Sequence, residues 1–176
     1  SKKVSEYYGN DFPLYKPTDL NAGINTRKAS DNISKLGATK ARLLPEKSTM
    51  VTCIGATIGK TGLNKITGTT NQQINSIIPN KNYIPECVYY FCISEFFQDQ
   101  IKTNASSTTL PILNKSKFEL LPFIQIPLTQ QTQIVEEIEK RFSEADNLEK
   151  AIDDSLAKSE TLRQSILKKA FEGQLV

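Results

Sequence analysis

The stretch TQQTQIVEEIEKRFSEADNLEKAIDDSLAKSETLRQSILKKAFEG (129–173) decides the fold. All eight prolines lie at or before Pro127, and the one later glycine is Gly173. The 45 residues between these two breakers carry neither, which predicts one long helix. Its periodicity is that of a seam: Ile134, Ile138, Arg141, Ala145, Leu148, Ile152, Ser155, Ser159, Leu162, Ile166 and Lys169. The steps alternate between four and three residues and average 3.5, the repeat of a left-handed coiled coil. Ile134, Ile138, Ala145, Leu148, Ile152, Leu162 and Ile166 form the apolar dimerisation stripe, flanked by Val135, Phe142 and Leu156. A helix from Thr129 to Lys169 would run roughly 60 Å. No 128-residue head covers a stripe of that length, so the stripe calls for a second helix.

Working outward, the rest of the chain has a different character. Residues 1–128 hold 15 Lys and Arg against 9 Asp and Glu, and residues 129–176 hold 7 against 10. A head with a balance of +6 therefore precedes a tail with a balance of −3. The expected division is 1–128 and 129–176, and the fold class is α+β with a β-rich head. MVTCI (50–54) and INSIIP (74–79) read as strands. ECVYYFCISEFFQDQI (86–101) reads as one amphipathic helix, with Val88, Phe91, Cys92, Glu95 and Phe96 on its apolar face. FELLPFIQIPL (118–128) reads as an extended lead into the long helix. Residues 21–40 and 103–117 read as polar loops.

Composition excludes much chemistry. Histidine is absent, so no His-based triad, base or metal ligand exists. Cys53, Cys87 and Cys92 form no CxxC pair and read as packed, reduced thiols, with no metal site. No run of 18 apolar residues appears, so no membrane helix is expected. The first residues lack a signal-peptide core, and a cytoplasmic location is expected. GATIGKT (55–61) looks like a phosphate-binding loop. Only three residues separate Gly55 from Gly59, however, and GLNKITG follows where a helix should begin. It reads instead as a Gly-rich turn between strands, with Lys60 facing solvent. No catalytic constellation is present, which favours binding or scaffolding.

Three blocks together resemble the specificity subunit of type I restriction–modification systems. They are EYYGNDFPLYKPTDL (6–20), IGATIGKTGLNKITGTTNQQINSIIP (54–79) and IPLTQQTQIVEEIEKRF with LRQSILKKAFEGQLV (126–142 and 162–176). The resemblance covers nearly the whole chain in the family's order. At the helix start the sequence departs from the family's usual pattern, and Thr129 is the expected cap. The resemblance implies a target-recognition domain, double-stranded DNA as ligand, and modification (methyltransferase) and restriction subunits as partners. It implies no catalysis in this chain, with S-adenosylmethionine and ATP held by those partner subunits. A full subunit carries two recognition domains and two antiparallel spacer helices, so this chain looks like half of one. That half is either a natural one that forms a homodimer through an antiparallel coiled coil or a fragment.

Three segments are candidates for DNA contact. Residues 24–42 carry Arg27, Lys28, Lys35, Lys40 and Arg42. Residues 57–73 carry Lys60, Lys65, Thr69, Thr70 and Asn71, with NQQ (71–73) also suited to tying down the Gly-rich turn. Residues 102–117 carry Lys102, Asn104, Ser106, Ser107, Thr108 and Lys115. Lysine and arginine supply phosphate contacts, while amides, hydroxyls and arginine read base edges. The reading from another class is a β-rich protein-interaction adaptor that dimerises through its helix.

Overall fold

The computed structural model describes residues 5–106 and 109–174. Ser107 and Thr108 lie outside the described residues. The chain divides into two compact units between Gln133 and Ile134. The first is α+β. Strand β1 (Tyr8–Tyr15) is the centre of a three-stranded sheet, antiparallel to β2 (Asp31–Ile33) and parallel to β5 (Thr69–Thr70). Strand β3 (Thr49–Thr52) is the centre of another, antiparallel to β4 (Thr61–Leu63) and β6 (Ile74–Ile77). β3 overlaps the first apolar run read from the sequence, starting one residue before it, and β6 falls within the second.

β1 contains Pro13 although it is a central strand. The partner β5 reaches only Leu14 and Tyr15, so Pro13 loses no ladder bond on that side. β3 is buried along its whole length. Its side chains alternate between two cores, as strand geometry requires. Met50 joins Tyr15, Leu20, Leu44 and Ile74. Val51 joins Val88, Cys92, Phe97, Ile101 and Phe118.

The expected helix over 86–101 is two helices, α2 (Pro85–Ile93) and α3 (Glu95–Asn104). Between them Ser94 is extended (φ −63°, ψ 149°), and its hydroxyl accepts from the Phe97 N–H. That cap starts a new helix and rotates the apolar face. Phe97 and Ile101 are therefore buried, while Glu95 and Phe96 are exposed. Two other loops also contain structure. Segment 21–40 holds β2, the end of a 3-10 turn (Asp19–Asn25) and a short helix α1 (Lys35–Ala38) capped by Ser34. Helix α4 (Lys115–Glu119), capped by Asn114, interrupts what read as loop and extended lead.

Helix α5 runs Leu128–Phe171, 44 residues. It begins earlier than expected: the Pro127 carbonyl accepts the Gln131 N–H, so Pro127 and not Thr129 is the capping position. Pro127 suits that place because proline blocks continuation toward the N-terminus. The other end is a Schellman stop. The Gln174 N–H donates to the Lys169 carbonyl and the Gly173 N–H to that of Ala170, with Gly173 at φ 73°.

Candidate nucleic-acid interface and its scaffold

The Gly-rich turn is a strand-to-strand connection from β3 to β4, as its sequence predicted. Its amides are already committed. The Ile58 N–H donates to the Gly55 carbonyl, Gly59 to Thr52, Lys60 to Thr57, and Gly55 to Pro111. Those four donors cannot cradle a phosphate, and no helix N-terminus follows. Gly55 (φ 107°) and Gly59 (φ 89°) occupy backbone conformations that side chains rarely adopt. Two glutamines clamp the turn. Gln73 Nε2 donates to the Ile54 carbonyl at 3.3 Å, and Gln98 Nε2 to the carbonyls of Gly59 (2.9 Å) and Cys92 (2.7 Å).

The sequence-predicted contact residues fall into three groups. Arg27, Lys28, Lys35, Lys40, Arg42, Lys102 and Lys115 are exposed. Lys60 and Lys65 are half-buried, and Lys60 is not simply solvent-facing: its Nζ donates to Asn21 Oδ1 at 2.7 Å. The polar residues mostly serve the fold. Thr69 is a correction: it lies in β5, buried, with its hydroxyl turned inward to the Arg42 carbonyl at 3.0 Å. Asn71 Nδ2 donates to Gln73 Oε1 at 2.9 Å, which favours the structural role of NQQ. Asn104 Nδ2 donates to the Gln100 carbonyl, and Ser106 Oγ accepts from the Ile112 N–H at 3.0 Å.

One arrangement brings the three segments together. Arg42, Thr69, Thr70 and Lys115 line a single cleft of 560 Å³. Its walls are otherwise largely apolar, with Ile77, Phe97, Phe118 and Phe123 among them. Asn75, which the sequence reading missed, also lines it.

Sequence reasoning missed two buried amides as well. Asn64 is wholly buried: its Oδ1 accepts from the Ser48 N–H at 2.6 Å, and its Nδ2 donates to the Pro45 and Ile66 carbonyls. Gln131, in the first turn of α5, is also wholly buried. Its Oε1 accepts from the Ile84 N–H at 2.8 Å, and its Nε2 donates to the Asn82 and Ile126 carbonyls, both at 2.9 Å.

The three thiols are free and buried. Burial pushes Cys53 up to about 11, against a hydrogen bond from Asn75, and raises Cys92 further. A thiol held protonated is a poor nucleophile or metal ligand at neutral pH. Among the described residues no helix is long and apolar enough to cross a membrane, and no cluster of metal-ligating side chains occurs.

Along α5 the seam lies in the open. Leu148, Ile152 and Leu162 are 66%, 67% and 61% exposed, and the flanking Leu156 is 69% exposed. Charge is segregated along the same helix. Residues 134–154 carry eight acidic and three basic side chains, a balance of −5, whereas 155–172 carry two and four, a balance of +2.

The chain is similar to known proteins over nearly its full length. It is 33% identical over 150 residues to the HindI specificity subunit of Haemophilus influenzae, covering 81% of this chain and 32% of that one. Its fold matches a chain solved in work on assembly and conformational transition of the type I R-M system, with TM-score 0.75 and 18% identity. It also matches the HsdS subunit of Thermoanaerobacter tengcongensis, with TM-score 0.70 and 16% identity. Each match covers 99% of this chain and 42% of the other. The chain thus spans about a third of the length of that curated relative. The profile of the type I restriction modification DNA specificity domain matches residues 1–158, and the chain belongs to that family.

Proposed function

We propose that this chain reads one half of a bipartite duplex target and takes no part in catalysis. The observation that carries this reading is one α+β unit continued by a 44-residue helix whose apolar seam is exposed. Such a seam needs a partner helix. Segregated charge supports an antiparallel partner of the same kind, because the acidic first half then faces a basic second half. A second copy of this chain meets that requirement, and so does a second helix of a longer specificity polypeptide. The paired helices would hold two reading units apart and scaffold the methyltransferase subunits. S-adenosylmethionine and ATP would bind the modification and restriction subunits, in the cytoplasm where the DNA lies.

The exposed cations Arg27, Lys28, Lys35, Lys40 and Lys102 suit phosphate contacts, with Lys60 and Lys65 nearer the scaffold. The concave cleft does not suit a duplex, because groove edges are read by elements that protrude into them. Duplex binding, measured with the modification subunits present, tests the reading. Affinity should fall with salt with a log–log slope of about −0.9 per neutralised phosphate. A flat salt response would favour the protein-interaction adaptor.

A further inference from the structure

We propose that Gln131 is a positioning residue that makes the gap between half-sites a sharply read part of the target. This role rests on the half-target reading and names the part that holds the ruler. Among the 44 residues of α5, Gln131 alone is buried. It lies three residues before Ile134 and seven before Ile138, so it continues the seam's own register back into the first unit. The stripe that calls for a partner helix is therefore pinned at its start by an amide.

The pin is directional. Gln131 bonds two segments: Asn82 and Ile84, which lead into α2, and Ile126, which leads into α5. The first segment is itself fixed. Asn80 Oδ1 accepts the Asn82 N–H at 2.9 Å, and the Tyr83 N–H donates to the Asn80 carbonyl at 3.0 Å. The Tyr83 ring meets Phe123 edge-on, with centroids 5.5 Å apart, which ties that segment to the lead. Bonds of 2.8 and 2.9 Å leave the normal range, which ends near about 3.2 Å, after a shift of a few tenths of an ångström. An apolar side chain in the same place would be held by burial, which has no direction.

Length turns that local tolerance into a distance. A helix of 44 residues at about 1.5 Å each reaches roughly 66 Å. A tilt of about 3° at its start moves the far end by roughly 3.4 Å, the advance of one base pair. Discrimination of gaps by a single base pair therefore requires a joint stiffer than that. The three bonds of one amide supply the stiffness.

The test is binding, with the modification subunits present, to duplexes that carry the selected half-sites at the selected gap or at a gap one base pair shorter or longer. The native chain should favour the selected gap at least tenfold. Gln131→Met keeps the length and apolar bulk but none of the three bonds, and should cut that preference to under threefold with the half-sites unchanged. Gln131→Asn is one methylene too short to reach both segments; it should also relax the gap, and it reads the same ratio should Gln131→Met fail to assemble. Asn64→Ala removes three hydrogen bonds inside the same unit, to Ser48, Pro45 and Ile66. It should lower folded stability and leave the gap preference intact, which separates positioning from general loosening. A sharp gap that survives both Gln131 variants overturns the proposal alone, and so does an equal relaxation in Asn64→Ala. A native chain indifferent to one base pair overturns it too. A native chain that selects no paired half-sites overturns the half-target reading and the proposal with it.

Discussion

Gln131 is a single polar side chain on which the entry to the long helix depends. Gln131→Leu keeps the volume but removes three hydrogen bonds, leaving the Ile84 N–H and the carbonyls of Asn82 and Ile126 without their partner. At about 1 kcal/mol for each lost bond, the expected cost is roughly 3 kcal/mol. Gln131→Glu is the sharper probe. It keeps the acceptor for Ile84 but sets a second oxygen where Nε2 now lies, 2.9 Å from two carbonyl oxygens. That repulsion raises the introduced carboxyl above its ordinary value of about 4.3. A raised folded-state value means that the variant is relatively most stable below about pH 4, where the proton can bridge to a carbonyl. That stability is lost as pH rises through the raised value. Urea unfolding followed by tyrosine fluorescence reads the first unit alone, because all six tyrosines lie at or before Tyr90. Each variant is compared with the native chain at pH 4 and pH 7. The reasoning fails if Gln131→Leu costs under about 0.5 kcal/mol, the scale of an ordinary surface change. It also fails if the Gln131→Glu deficit grows on acidification.

Other outcomes follow from the same geometry. Gly59→Ala would place a Cβ 2.3 Å from Gln98 Oε1 at φ 89°, and should cost about 2–4 kcal/mol in urea unfolding. Adding Gln98→Ala should recover part of that loss, as a double-mutant cycle would show. Burial, then the Asp19 charge, pushes the Tyr15 hydroxyl up to about 12. The unfolded chain then ionises first, so Tyr15 alone should lower stability on the order of 2 kcal/mol between pH 10 and 12; Tyr15→Phe should make the alkaline slope shallower by that share, while the buried Cys53 and Cys92 thiols keep theirs. Leu148→Asp with Ile152→Asp should abolish self-association in sedimentation while leaving tyrosine fluorescence unchanged; a persistent dimer would refute the seam. A heptad inserted after Asp153 lengthens the helix by roughly 10 Å. Sequences selected from random duplexes with the modification subunits should then show half-sites unchanged and their gap wider by about three base pairs.

The long helix was legible because its breakers and its period coincide, and both are properties of neighbouring residues. The Gly-rich turn was legible for the same reason. Ser94 was not: a serine inside an apolar period ends one helix only when its hydroxyl caps the next. Thr69 and Thr70 were both candidate DNA contacts, but β5 turns Thr69 inward toward residue 42, 27 positions away. Buried amides such as Asn64 and Gln131 gave no signal in the sequence, because burial of a polar group depends on partners brought together by the fold. The cleft was invisible for the related reason that its walls come from segments near residues 42, 70, 76 and 118.

From residue 139 to 174 every described side chain of the tail is exposed. This part of the helix lacks the tertiary packing that supplies most helical stability in proteins. Its helical content is then a thermodynamic variable tied to the concentration of whatever covers the seam. Association and ordering of this segment are then coupled, so dilution should lower its helical content while the first unit stays folded. A newly made chain that meets no partner would offer its tail to proteases first, which sets the abundance of unassembled chains by the supply of their counterpart.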